Sequence, residues 1–289
     1  MFKAFVRKFG GSTRHAEIRR NELFPLPAWD YQQKEVLPHL NDGDVVLDIG
    51  SGHAAAPISH ILTDYYPDQS RHRARPAIED RPLVICSVDF MPFKAKAFDL
   101  SMCTHVLEHI PNPLVAVDEI VRVSSKGYIE TPSYGKDVLI GTGGQHVWQV
   151  VNSGGYLYFF PYTDRQHQAH TESPFMSIWC QDEYHPLQSY FWERQDIFNA
   201  FQFWHESPKI QVMGSAPDWP RRSWKPVATE ELPNWEPSLT ETEIARLEAR
   251  LVGPDGITPM RYADGAFVDG TGQINYPVRG KRIYFELGH

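Results

Sequence analysis

The chain has 289 residues, with 28 Lys and Arg against 36 Asp and Glu and a formal net charge of −8. That length supports one large domain or a domain with a sizeable appendage, and the acidic balance excludes the basic footprint of a nucleic-acid binder. No apolar run approaches the roughly 20 residues of a membrane-spanning helix, and the N-terminus lacks the apolar core of a signal peptide, so a cytoplasmic protein is expected.

Residues 1–28 form a basic amphipathic segment. Lys3, Arg7, Lys8, Arg14, Arg19 and Arg20 stand against Glu17, and Phe2, Phe5, Val6 and Phe9 share one helical face ended by Gly10-Gly11. Such a face suits weak peripheral contact of residues 1–9 with an anionic membrane, or packing on its own domain or on a second copy in a homodimer. A helix is predicted over 29–40, then the turn "NDGD", a strand over 45–48 and a second strand in "HILTDYY". The polar loop "PDQSRHRARPAIEDR" leads to a strand over 82–89 and a buried strand over 98–103. Asn112 caps a helix with Pro113 at its first position, whose inner face is assigned to Leu114, Val117, Ile120 and Val121. "GYIE", 127–130, reads as the next strand. This strand–helix alternation predicts an α/β fold, an open parallel sheet with helices on its faces.

Composition then shifts, because seven of the eight tryptophans lie between Trp148 and Trp235. The expected organisation is a ligand-binding domain over 29–214 carrying a lid insertion at about 135–200, and an extension over 215–289 packing on the same domain. In that extension Thr240 and Glu243 form a capping box before "TEIARLEARL", and "KRIYFEL" reads as a terminal strand. The three cysteines, Cys86, Cys103 and Cys180, lack metal-type spacing and read as reduced core thiols.

"VVLDIGSGHAAAP", Val45 to Pro57, follows a buried strand with the loose pattern G-x-G-x-x-A at Gly50, Ser51, Gly52, His53, Ala54 and Ala55. Asp48, two residues before the first glycine, is badly placed beside a pyrophosphate. Pro57 and the next strand also leave little room for the long helix a pyrophosphate needs. S-adenosylmethionine (SAM), with its sulfonium and ammonium groups, fits better. Asp64 is placed to accept from the ribose hydroxyls, and Asp89 from the adenine amino group, with Phe90 and Met91 against the ring. Asp48, Asp64 and Asp89 would then line one crevice at the carboxyl edge of the sheet.

"VVLDIGSGH", "VDFMPFKAKAFDLSMCTHVLEHIPNP" and "GYIETPS" resemble the successive motifs of class I SAM-dependent methyltransferases, in the type-11 branch, over about residues 40–150. The resemblance implies a Rossmann-like, seven-stranded, mostly parallel sheet with one antiparallel edge strand, and an elaborated aromatic-rich C-terminal half. It implies SAM as cofactor, S-adenosylhomocysteine as product, and cofactor contacts at Asp48, Gly50, Ser51, Gly52, Asp64, Asp89, Phe90, Thr104 and His105. The chain departs from the family after Gly52, where a full helix is usual; Asp68 is the alternative to Asp64.

A hydroxyl acceptor needs its proton removed. His105, Glu108 and His109 cluster after the fourth strand and His146 follows the fifth, so His146, His105 and His109 are the candidate catalytic residues, His146 foremost as base. "HVLEH" also partly resembles the Glu-x-x-Glu-His run through which ubiquinone-pathway and small-RNA 3′-end O-methyltransferases bind Mg²⁺. With His105 in first place the set is poor for Mg²⁺ and better for a softer ion, and a divalent metal is the less favoured reading. His167, His170, Cys180 and His185 are read as lid residues rather than a zinc site. The expected function is O-methylation of a small molecule or glycan in a surface-polysaccharide or secondary-metabolite pathway. The rivals are a NAD(P)-dependent oxidoreductase and a catalytically silent SAM-fold partner subunit.

Overall fold

The computed structural model describes residues 27–66, 77–142, 144–171, 194–218 and 238–285. Most of the basic N-terminal segment, Asp68, Cys180 and His185 lie outside the described residues.

Helix α1 (Pro27–Val36) ends in a 3-10 turn at Leu37–His39, because Pro38 cannot continue it. β1 (Val46–Ile49), β2 (Ile61–Asp64) and β3 (Leu83–Ile85) are buried throughout, as strands covered on both faces must be. β3 is shorter than the sequence suggests, because the chain turns at an isolated bridge between Ser87 and Phe90 and leaves Asp89 exposed. β4 (Phe98–Thr104), α2 (Pro113–Val123) and β5 (Ser124–Pro132) follow. The Asn112 side chain accepts from the Val115 amide, as a cap should. The inner face of α2 is Pro113, Ala116, Val117, Ile120 and Val123, while Leu114 is 44% exposed. The helical period counted from the capped first turn, not from Leu114, sets that face.

Then come α3 (Tyr134–Ile140), β6 (Trp148–Ser153), β7 (Tyr156–Pro161), α4 (Asp164–His170), α5 (Gln195–Phe198), β8 (Asn199–Trp204) and β9 (Ile210–Val212). The last part holds α6 (Glu241–Glu248), β10 (Arg261–Ala263), β11 (Ala266–Val268), β12 (Asn275–Arg279) and β13 (Arg282–Tyr284). α6 carries the expected capping box, with Thr240 Oγ1 accepting from the Glu243 amide and Glu243 accepting from the Thr240 amide.

The main sheet has ten strands in the order β10-β11-β12-β13-β3-β2-β1-β4-β5-β8, rather than seven. β13, β3, β2, β1, β4 and β5 are parallel, and β8 runs antiparallel to β5 at one edge. The excess arises because the C-terminal strand β13 docks on β3 and carries the antiparallel meander β10–β12 beyond it. β6, β7 and β9 form a separate small sheet. Its inner residues Trp148, Val150, Leu157 and Phe159 share one core with Cys103, Ile129 and Trp204 of the main sheet.

Residues 50–60 cross from β1 to the parallel β2 as turns without a helix. The crossing is pinned by Ser51 N–H to Thr63 O at 3.0 Å, Ser59 N–H to Ala56 O at 3.0 Å and His60 N–H to Val46 O at 2.9 Å. Strand order reverses at β1, between β2 and β4. The ends of these strands therefore open the crevice where ligands of doubly wound sheets bind. Among the described residues, no helix is long and apolar enough to cross a membrane.

Candidate functional site

Gly50 has φ +67°, and a Cβ there would collide with Val106 beyond the end of β4. Only glycine lets this loop lie flush against that strand end. The Gly52 amide donates to Asp64 Oδ2 at 3.1 Å, and Asp64 Oδ1 accepts from the Tyr66 amide at 2.8 Å. The structure thus ties the loop to the strand-end acid. Ser51 is buried beside them.

Asp48 turns onto its own loop, where its Oδ2 accepts from the Ala56 amide at 2.6 Å and from Ser59 Oγ at 3.4 Å. Burial pushes its carboxyl up to about 7. The folded protein therefore keeps a proton that the unfolded chain releases in the ordinary carboxylate range. A folded state that binds more protons loses stability as pH rises, here through the window that ends near 7. Asp48→Asn is expected to flatten that fall, checked by urea midpoints at about pH 5 and about pH 8. An unchanged slope in the variant would place the titration elsewhere.

Asp89 is exposed beyond β3, and Phe90 stacks on Phe285 with ring centroids 5.7 Å apart, while Met91 is buried. Burial chiefly, then Glu119, Asp64 and Asp89, push the Cys86 thiol well up. Cys86 and Cys103 are free and buried.

At the end of β4, Thr104 pairs with Glu130 of β5, and His105 adopts φ +56°. A left-handed residue other than glycine costs about 1–3 kcal/mol and persists where its surroundings over-determine it. Here the His105 amide donates to Glu130 O at 2.8 Å. Its ring lies between two carboxylates, with Nδ1 3.6 Å from Glu108 Oε1 and Nε2 3.3 Å from Glu130 Oε1. Burial and Lys136 pull its pKa down, but the two carboxylates outweigh them and hold it above the usual imidazole value. That clamp favours an imidazolium over a proton acceptor.

A 3-10 turn at Leu107–His109 then presents Glu108 and His109. Glu108 is 1% exposed, and neither carboxylate oxygen has a hydrogen-bond partner among the described residues. Burial would raise its carboxyl, but His109, His105 and His146 overcome that and hold it at about 2. His109 Nδ1 lies 3.1 Å from Gln145 O, and its Nε2 lies 3.6 Å from Glu108 Oε1. His146 Nδ1 lies 3.0 Å from Asp137 Oδ1, and Asp137 Oδ2 accepts from the Tyr162 hydroxyl at 2.8 Å. The two imidazole rings meet edge to face at 4.9 Å. The Val147 amide, donating to Glu108 O at 2.9 Å, fastens the two segments together.

His105, Glu108, His109 and His146 thus form one cluster, bordering the Gly50–Gly52 loop through Val106. His167 and His170 sit on α4, where His170 packs its ring edge to face against Tyr134 and Tyr162. Trp148 and Trp204 are core residues, Trp148 Nε1 donating to Ile110 O. Asp137, Glu130 and Tyr162 belong to the site but escaped the sequence reading. An acid inside the apolar strand run of β5 was the available sign of Glu130, since buried carboxylates are paired.

Residues 47–129 match the model of a methyltransferase domain family. The chain is similar to an uncharacterized methyltransferase of Mycobacterium tuberculosis, 31% identical over 113 residues that cover 36% of this chain and 43% of the relative. The chain thus spans less than half the length of the curated relatives it matches. A solved Haloferax volcanii complex of the Trm112 methyltransferase activator with a putative methyltransferase aligns at 18% identity. It covers 41% of this chain and 58% of that one, at TM-score 0.32. A putative methyltransferase from Bacillus halodurans aligns at 20% identity, covering 36% and 52%, at TM-score 0.27. Residues 47–129 thus carry a segment that matches the methyltransferase domain family, and they lie within the mostly parallel sheet.

Proposed function

We propose that the protein is a cytoplasmic SAM-dependent methyltransferase that methylates oxygen on a small molecule or a glycan, in a surface-polysaccharide or secondary-metabolite pathway. The observation that carries the cofactor is Asp64, whose carboxylate holds the Gly52 amide at the point where strand order reverses. Gly50, Ser51, Gly52 and Asp64, with Thr104 and His105 opposite and Asp89 and Phe90 at the rim, would hold SAM. Bound there, SAM supplies a methyl group activated by its sulfonium for in-line displacement. The protein's part is to position the acceptor and take its proton.

Oxygen as acceptor is supported by the cluster beyond β4. Asp137 fixes His146 through Nδ1, which leaves the Nε2 lone pair as the handle on an acceptor hydroxyl. His105, clamped between Glu108 and Glu130, acts as a fixed positive charge, and His109 supports the same cluster. The oxidoreductase reading loses ground because residues 53–60 form turns, so the glycine loop opens no helix to receive a pyrophosphate.

Calorimetry is expected to show binding of SAM and S-adenosylhomocysteine and none of NAD or NADP. Asp64→Ala is expected to weaken SAM by about 1.5–3 kcal/mol, the worth of a hydrogen bond to a charged group. Nicotinamide binding without SAM binding would sink the proposal. Loss on Asp68→Ala with none on Asp64→Ala would move the ribose site.

A further inference from the structure

We infer that Glu108, His109 and His146 form a site for one divalent transition-metal ion, with Gln145 and Asp137 holding the two imidazoles for it. One donor atom from each of the three lies within 4.8 Å of the others. Ligands about 2.1 Å from a tetrahedral ion stand about 3.4 Å apart, and the 3.6 Å between His109 Nε2 and Glu108 Oε1 is close to that spacing.

The carboxylate is the second observation. Glu108 is 1% exposed, and both its oxygens lack hydrogen-bond partners among the described residues. Its ion-pair neighbours His105 Nδ1 and His109 Nε2 both stand 3.6 Å from Oε1, beyond hydrogen-bonding distance, so a coordinated ion would satisfy lone pairs that neither ring reaches. The third observation is the setting of the imidazoles. An acceptor takes the Nδ1 proton of each ring, the Gln145 carbonyl at 3.1 Å for His109 and the Asp137 carboxylate at 3.0 Å for His146. That places the lone pair on Nε2 in both, the tautomer and the outer partners that metal-bound histidines have. Asp137 is itself held by Tyr162 at 2.8 Å, so the orientation is fixed two layers deep.

The donor set selects the ion. Mg²⁺ takes oxygen ligands in near-octahedral geometry and keeps several waters. Two imidazoles and one carboxylate suit Zn²⁺, Co²⁺, Mn²⁺ or Fe²⁺. His105 faces Glu108 and Glu130 with its two nitrogens, so it braces the carboxylates and adds no oxygen ligand. The role in activating an acceptor hydroxyl rests on the methyltransferase reading; the ion binding does not. In that role the His146 lone pair would hold the ion in place of taking the proton itself. The ion would make a bound hydroxyl easier to deprotonate, and solvent water would take the proton.

Metal-stripped protein titrated with Co²⁺ alone is expected to bind one equivalent and to develop visible d–d bands. Calorimetry is expected to rank Zn²⁺ and Co²⁺ above Mg²⁺. His109→Ala and His146→Ala should each weaken Co²⁺ by more than about 100-fold, and Asp137→Asn by about 10–100-fold. Circular dichroism and the SAM titration on the same samples show whether each variant is folded. Stoichiometry well below one, Co²⁺ affinity unchanged in both folded histidine variants, or Mg²⁺ binding tighter than Zn²⁺ overturns the assignment. Absence of SAM binding alone would count against the proposed function and leave the metal result standing.

Discussion

His146→Ala is expected to lower methyl transfer by about 10²–10⁴-fold while leaving SAM affinity intact. The ring is held at Nδ1 by a buried carboxylate, Asp137, at 3.0 Å, with Nε2 left for an acceptor. Its removal takes away the lone pair proposed either to take the acceptor's proton or to hold the ion. None of the hydrogen bonds that shape the glycine loop, from Gly52 to Asp64, from Ser51 to Thr63 and from Ala56 to Asp48, involves His146. The cofactor side should therefore be unchanged. Asp137→Asn should lose less, since the amide oxygen can still accept from Nδ1 but carries no charge. The measurement is S-adenosylhomocysteine formed with a panel of hydroxylated small molecules and oligosaccharides, alongside SAM calorimetry. Full activity in His146→Ala would move the chemistry to His105, Glu108 and His109.

The half of the chain that alternates strand and helix was legible because local signals agree there with the tertiary result. The Asn112–Pro113 cap, the Thr240–Glu243 box and the apolar runs of β1 and β4 each specify their element without help from elsewhere. The extent of the sheet was not legible. Whether "KRIYFEL" closes a free edge depends on β13 meeting β3, a pairing of residues about 200 apart that no local pattern encodes. The crevice at the strand ends could be read from glycine spacing and strand-end acids. Asp48 shows the limit of that reading, because its side chain braces the residue 50–60 crossing rather than facing out. His105, Glu108 and His109 announced themselves as a run. Asp137 and Tyr162 did not, since only the antiparallel return of β7 brings Tyr162 to the start of β6.

Glu130→Ala is expected to cost about 3–5 kcal/mol of stability, because removing one member of a buried ionic network leaves the rest unpaired. Glu130 is fully buried in β5 and joins four elements. Its Oε1 accepts from Gln32 Nε2 of α1 at 3.2 Å and from Asn199 Nδ2 of β8 at 2.9 Å. Its Oε2 accepts from the Tyr128 hydroxyl at 2.6 Å, and His105 beyond β4 lies 3.3 Å away. Burial would push the Glu130 carboxyl up, but His105, Tyr128 and Tyr31 outweigh it and hold it below the usual range. A carboxylate held down in the folded state adds stability above its unfolded pKa. That stability is lost as pH falls through its folded value. The wild type should therefore lose stability on acidification more steeply than Glu130→Ala. Glu130→Gln should sit between the two, because it keeps the volume and one acceptor but not the charge that His105 faces. Urea unfolding gives the measure, as a lowered midpoint with an unchanged slope. A loss below about 1 kcal/mol in Glu130→Ala would mean that water replaces the carboxylate and that the network is not what joins α1 and β8 to the parallel sheet.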